Sequence, residues 1–145
     1  MFKHLLIATD GSVLAEKAEM IGLELAKQIG ACVTVVTATE PWLAMTMGEP
    51  SAFDFPVGDF EKIATRHATQ ILTRVSELAA KLQVSCETVH VRDFPSEAII
   101  ETARVRRCDL IIMASHGRRG LHSVLLGSQV QRVIAVSPVS VLVCH

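Results

Sequence analysis

The stretch "DLIIMASHGRRGLHSVLLGSQ", residues 109–129, holds the sharpest change of character in the chain. Its first part, "DLIIMA" (109–114), is an unbroken apolar run. A run of that length without alternation reads as a strand buried on both faces. It empties into small residues, glycines and two arginines, and a Gly127-Ser128 pair follows where a helical pattern begins. A plain turn needs only a few residues. Glycine has no Cβ, so here the backbone can approach another group closely. A helix N-terminus leaves unpaired N–H groups and a partial positive charge, which favour anions. Gly127 and Ser128 are therefore candidates to cradle phosphate, with the Ser128 hydroxyl as a further donor. Gly117 leaves room for a ribose or phosphate, and Arg118 and Arg119 could neutralise its charge.

Outward from this stretch the same logic recurs. "HLLIA" (4–8) is a second non-alternating apolar run, and it ends at "TDGS". Leu14, Ala18, Ile21, Leu25 and Ile29 fall at spacings of three and four, which predicts an amphipathic helix over 13–29. Ser12 is its expected N-cap and Gly30 its stop. "CVTVVTA" (32–38) is a strand rich in β-branched residues. Residues 41–60 hold three of the five prolines and no usable period, so they read as a long loop. That loop carries Trp42, Phe53, Phe55 and Phe60, whose plain reading is packing over the core edge.

Ala64, Ala68, Ile71, Val75, Leu78 and Leu82 form one stripe and predict a helix over 61–82. "SCETVHV" (85–91) alternates and is half polar, as suits a strand near a sheet edge. A short helix over about 96–106 is expected to be capped by Ser96. A last helix over about 128–136 stops at Ser137-Pro138, and "VSVLVC" (139–144) is the fifth strand.

Strands alternating with helices predict one α/β domain over 1–145, with a five-stranded, mainly parallel sheet and helices on both faces. Right-handed crossovers place the first strand near the middle. Ligands of such sheets bind outside the C-terminal ends of the strands, where the strand order reverses. The first and fourth strands flank that crevice, and their ends read "ATDGS" and "MASHG". Asp10 closes the first strand, where a carboxylate can accept hydrogen bonds from sugar hydroxyls or an exocyclic amine.

Composition narrows the classes. The chain has 145 residues, is 50% hydrophobic and carries a net charge of −1. That balance offers no general footprint for nucleic acid. The start "MFKHLLIATDGS" has too short an apolar run for a signal peptide, and no run approaches the roughly 20 residues of a membrane helix. The expectation is a cytoplasmic protein without membrane or nucleic-acid partners. Cys32, Cys86, Cys108 and Cys144 form no C-x-x-C pair, so neither disulfides nor a metal centre is expected. Three of them read as small core residues, and Cys144, at the chain end, is also expected to be buried.

No P-loop is present, and "GRRGLH" is not the dinucleotide fingerprint. Taken singly, the glycines are turns, the arginines a solvated face and Asp10 a helix cap. Their convergence on one crevice favours a phosphate-bearing ligand.

At this point the sequence resembles the universal stress proteins over essentially its whole length. The resemblance runs through "HLLIATDGS", "PSEAIIETARVRRCDLIIMASHGRRG", "LLGSQVQRVI" and "SPVSVLVC". ATP-binding members of that family carry G-x2-G-x9-G-[ST]. Here Gly117 stands at the second glycine, residues 118–126 follow, and Gly127-Ser128 completes the motif. Ala114 occupies the first glycine position, and Asp93 stands where the family often has glycine.

The resemblance implies a Rossmann-like sheet in the order 3-2-1-4-5 and a homodimer paired through 139–144. It implies that Thr9, Asp10 and the backbone of Ala38 surround adenine and ribose, with Ser12 in the same turn. Met113, Ala114, His116 and Gly117 would line the ribose and first phosphates; for His116 a purely structural loop role is an equal alternative. Gly127, Ser128, Gln129 and Val130 would hold the later phosphates of ATP, with Mg2+.

Hydrolysis needs a positioned water, a base and charge stabilisation in the transition state. No spacing ties Asp10 or His116 to a γ-phosphate, so no catalytic residue is assigned. The leading expectation is a regulatory homodimer that binds ATP. A dimer acting through its surface alone and a slow ATPase are the alternatives.

Overall fold

The computed structural model describes residues 1–41, 57–117 and 125–145. In chain order these form β1 (His4–Ala8), α1 (Val13–Ile29), β2 (Cys32–Thr39), α2 (Val57–Leu82) and β3 (Cys86–Arg92). Then come α3 (Pro95–Arg106), β4 (Leu110–Ala114), α4 (Ser128–Val136) and β5 (Ser140–Cys144). The strands make one sheet in the order β3-β2-β1-β4-β5, and each pairing is parallel. The expected topology is therefore present, with β1 and β4 side by side at the centre.

Successive residues of a strand point to opposite faces, and β1 shows why its apolar run does not alternate. Leu5 and Ile7 enter a core built with Ala18, Leu23 and Ala26 of α1 and Leu72, Val75 and Ala79 of α2. Leu6 and Ala8 enter a second core with Ile99 and Ala103 of α3 and Val130 and Val133 of α4. Burying each such large side chain contributes roughly 1.5–3 kcal/mol, so both layers hold the sheet in place.

The apolar face of α1 is rotated from the expected one. Ile21 and Ile29 are 42% and 43% exposed. The buried side is Ala15, Ala18, Glu19, Gly22, Leu23 and Ala26. Small residues let the helix lie close to the strands around Leu23, and Ile21 and Ile29 are left on its flank. The ends of α1 are as expected: Ser12 accepts from the Ala15 amide, and Gly30 takes a left-handed φ of 69°.

Several boundaries differ: β2 runs one residue further than expected, to Thr39, and β4 begins one residue later, at Leu110. α2 starts at Val57, so residues 57–60 of the expected loop are helical and Phe60 lies half-buried on that helix. Trp42, Phe53 and Phe55 lie outside the described residues, as do Arg118 and Arg119. Ser96 does not cap α3: the cap position is Phe94, without a side-chain bond, and proline begins the helix. Proline at the first position has no N–H to leave unpaired, and the Ser96 amide that a cap would serve donates to the Gln129 side chain instead. β3 and β5 each begin one residue later than expected, at Cys86 and Ser140.

Cys108 and Cys144 are buried, whereas Cys32 and Cys86 are only half-buried because each opens a strand; all four are free thiols. Among the described residues no helix is long and apolar enough to cross a membrane.

Candidate functional site

The C-terminal end of β1 runs into a turn whose bonds are local. The Thr9 amide continues the ladder to the Val36 carbonyl of β2 (3.0 Å). The Gly11 amide donates to the Thr9 hydroxyl oxygen (3.1 Å), and the Ser12 amide donates to Asp10 Oδ1 (3.0 Å). Such side-chain bonds two residues on are how Thr and Asp shape turns. Ser12 then accepts the Ala15 amide (3.2 Å), so one short segment both ends the strand and starts α1.

β4 ends beside it. The Ser115 amide adds one more bond to β5, at the Cys144 carbonyl (2.8 Å). The Gly127 amide returns to the Ser115 carbonyl (2.9 Å), which brings the start of α4 back against the end of β4. His116 closes this return: one ring nitrogen meets the Ser115 hydroxyl (3.1 Å) and the other the Leu125 carbonyl.

The glycines stand where a side chain would intrude. A Cβ on Gly117 would lie 2.9 Å from Asp10 Oδ2, and one on Gly127 would lie 3.3 Å from the Ser115 carbonyl oxygen. Gly127 is the N-cap of α4 and offers no side-chain bond to its first turn. Those first-turn amides have no partner within the helix, and Ser128 beside them is exposed.

The structure thus gathers the expected residues along one rim. Thr9, Asp10 and Ser12 follow β1, Met113 to Gly117 end and follow β4, and Gly127 to Val130 cap and open α4; Ala38 lies at the same end of β2. They do not all face outward. Met113 and Val130 are buried in the core on the α3–α4 side, and Ala114 is buried in the core on the α1–α2 side. Only their backbone is available to a ligand. The Ala114 methyl is therefore accommodated in the core, away from the rim. The Gln129 side chain accepts the Ser96 amide (3.0 Å), so it ties α4 to α3. Beside it the Ser96 hydroxyl donates to Glu97 (2.7 Å). That bond, with Arg132 paired to the same carboxylate, holds Glu97 below the usual carboxylate range.

Sequence reading missed Glu19 and Arg74. Glu19 is fully buried, and its carboxylate accepts from the Thr9 hydroxyl and from Arg74 of α2. The signal was available: a glutamate inside the stripe Ala15, Ala18, Gly22, Leu23 and Ala26.

A parallel sheet in this order, with the ends of β1 and β4 side by side at its switch point, defines a small Rossmann-like α/β protein. The sequence model of the Universal stress protein family matches residues 1–145, and the chain belongs to that family. It is 34% identical over 143 residues to a universal stress protein of Thermus aquaticus (in the QAH/OAS sulfhydrylase 3' region), with 98% of each chain covered. Among solved structures, UspA from Lactobacillus plantarum superposes with a TM-score of 0.86 at 20% identity, covering 99% of this chain and 98% of that one. A universal stress protein in complex with cAMP gives 0.74 at 22% identity, covering 99% and 97%. One from Archaeoglobus fulgidus in complex with dAMP gives 0.68 at 18% identity, covering 100% and 98%.

Proposed function

We propose that this protein is a regulatory module that binds ATP in the crevice between β1 and β4 and works as a homodimer in the cytoplasm. The observation that carries the reading is the rim itself. Gly117 lies against Asp10, and Gly127 leaves the first turn of α4 without a side-chain cap. The adenine nucleotides held by the two family members in complex with cAMP and dAMP support it. The residues present suit such a ligand. Asp10 can accept from ribose hydroxyls, Gly117 leaves the space beside it, and the amides and hydroxyl at Gly127 and Ser128 can donate to phosphate. Mg2+ would come with the triphosphate and lower its charge. His116 acts here by holding the loop return, since both of its ring nitrogens are engaged.

Binding is favoured over hydrolysis because, among the described residues, no side chain of the rim is arranged as a base for an attacking water. The test is the nucleotide carried by the purified protein. Intact ATP, and micromolar affinity in titration calorimetry with magnesium, is the expected result. Recovered ADP with turnover near 1 per second, the low end of ordinary enzymes, would favour an ATPase. An empty site that ATP does not fill would favour a dimer acting through its surface.

The dimer reading rests on β5, the outer strand beside β4, where Leu142 is 37% exposed. An apolar edge strand invites pairing, and a second copy would cover it symmetrically. Light scattering should give twice the chain mass, and Val141→Pro, which removes a ladder donor, should give one chain mass.

A further inference from the structure

We propose that Glu19 is a positioning residue for the nucleotide-facing turn: its buried carboxylate, clasped by Arg74, orients the Thr9 hydroxyl, which in turn fixes the Gly11 amide and sets Asp10 opposite Gly117. The inference rests on the nucleotide reading of the same crevice and deepens it.

A fully buried glutamate is costly unless it is paired and hydrogen-bonded. Its neighbours on α1 show that an apolar residue would pack at this position. What distinguishes Glu19 is what it holds. Its Oε1 accepts from Arg74 Nη2 (2.9 Å) and from the Thr9 hydroxyl. Its Oε2 lies 2.9 Å from Arg74 Nη1, an ion-pair contact in which the N–H is not aimed at the oxygen. Arg74 is partly exposed and also reaches toward Glu16 (3.7 Å). The chain of contacts therefore runs from α2 through α1 to the end of β1.

The chemistry of the hydroxyl makes this directional. Thr9 has one O–H proton, and an ionised carboxylate only accepts. With that proton given to Glu19, the lone pairs of the hydroxyl are turned to the Gly11 amide, which donates to them at 3.1 Å. Gly11 sits at a φ of 76°, a left-handed conformation that this bond helps hold. The next amide, of Ser12, is bonded to Asp10 Oδ1, and the other Asp10 oxygen is the one against Gly117. Releasing the Thr9 hydroxyl frees the turn at the point where a ribose would meet Asp10. Thr9 thus serves the site from behind, while its amide stays in the sheet.

The experiment uses the full chain, amide hydrogen exchange of Gly11 by NMR, and ATP titration. Three variants are compared: Thr9→Val, Thr9→Ser and the double variant Glu19→Leu/Arg74→Met. The double variant removes both charges together and keeps the volume apolar, a replacement that folds commonly tolerate. Loss of one hydrogen bond corresponds to a factor of about five to ten. Thr9→Val should exchange Gly11 faster and bind ATP more weakly by about that factor, and Thr9→Ser should restore both. The double variant should show the same loosening of Gly11 and of ATP while its melting temperature stays near the parent value. A fall in melting temperature with Gly11 exchange and ATP affinity unchanged would mean a purely structural pair and overturn the proposal. If the parent itself does not bind ATP, the nucleotide reading fails separately, and Gly11 exchange alone decides whether Glu19 sets the turn.

Discussion

The two ends of the central strands are built on opposite plans. At the N-terminal end, polar groups are consumed by one another. Asp109 accepts the amides of Lys3 (2.8 Å) and His4 (3.2 Å), and its own amide donates to the His4 carbonyl (2.9 Å). The Cys32 amide takes the Lys3 carbonyl, and a His4 ring nitrogen meets the Thr34 hydroxyl (2.8 Å). At the C-terminal end, Gly117 and Gly127 remove side chains where groups crowd together, and α4 starts without a side-chain cap. Buried polar groups are normally satisfied within the protein. The N-terminal end closes on itself, whereas at the C-terminal end the first turn of α4, which has no side-chain cap, is where the proposed reading puts phosphate.

The largest expected effect sits at the open end. On the proposed reading, Gly127→Val places branched carbon between a phosphate and the amides that would hold it. It should abolish ATP binding, by about a hundred-fold or more on the scale of several lost charge-assisted bonds. Gly127 has a φ of −57°, which valine can adopt, but a Cβ there would lie 3.3 Å from the Ser115 carbonyl oxygen, so the melting temperature should fall as well. Calorimetry and a thermal melt read the two halves of this prediction, and undiminished ATP binding would place the cradle elsewhere. Ser128→Ala removes one donor to an anion, worth roughly 1.5–3 kcal/mol, and should cost about ten-fold or more in affinity.

The closed end should behave in reverse. Asp109→Ala strands two amides and should lower stability by about 1–2 kcal/mol in urea unfolding. ATP affinity of the folded protein should stay at the parent value. A variant that weakened ATP as well would erase the distinction between the two ends.

A shallower effect at the closed end appears only at high pH. Burial, chiefly, pushes the Cys108 thiol from an ordinary 9.0 up to about 11, and the Cys86 thiol likewise. In the unfolded chain these thiols ionise first, so the unfolded state binds fewer protons through this window. Their contribution to stability is complete below about pH 9 and is lost as pH rises toward about 11. Urea midpoints should fall across that interval, and less steeply in Cys108→Ala.

The smallest expected effect is at Ala114. Its methyl lies in the core on the α1–α2 side, so Ala114→Gly should leave ATP affinity unchanged while lowering the melting temperature slightly. A clear gain in affinity would show that the methyl obstructs the rim after all.

Much of this was legible before any coordinates. Non-alternating runs such as "HLLIA" and "DLIIMA" announce strands covered on both faces, because only a sheet with helices on both sides buries successive residues. Ser12, Gly30 and Ser137-Pro138 mark helix ends through local geometry that each residue carries with it. The spacing of Gly117 and Gly127-Ser128 picks out the rim. What depended on the folded chain was which side chains the rim keeps for itself. Met113, Ala114 and Val130 turn into the cores, Gln129 reaches across to Ser96, and His116 spans to Leu125. The Glu19–Arg74 pair joins positions 55 residues apart in the chain. Periodicity along one helix shows that a charge has been buried. Only the packing of α2 against α1 supplies the opposite charge, because that partner is a neighbour in space and not in sequence.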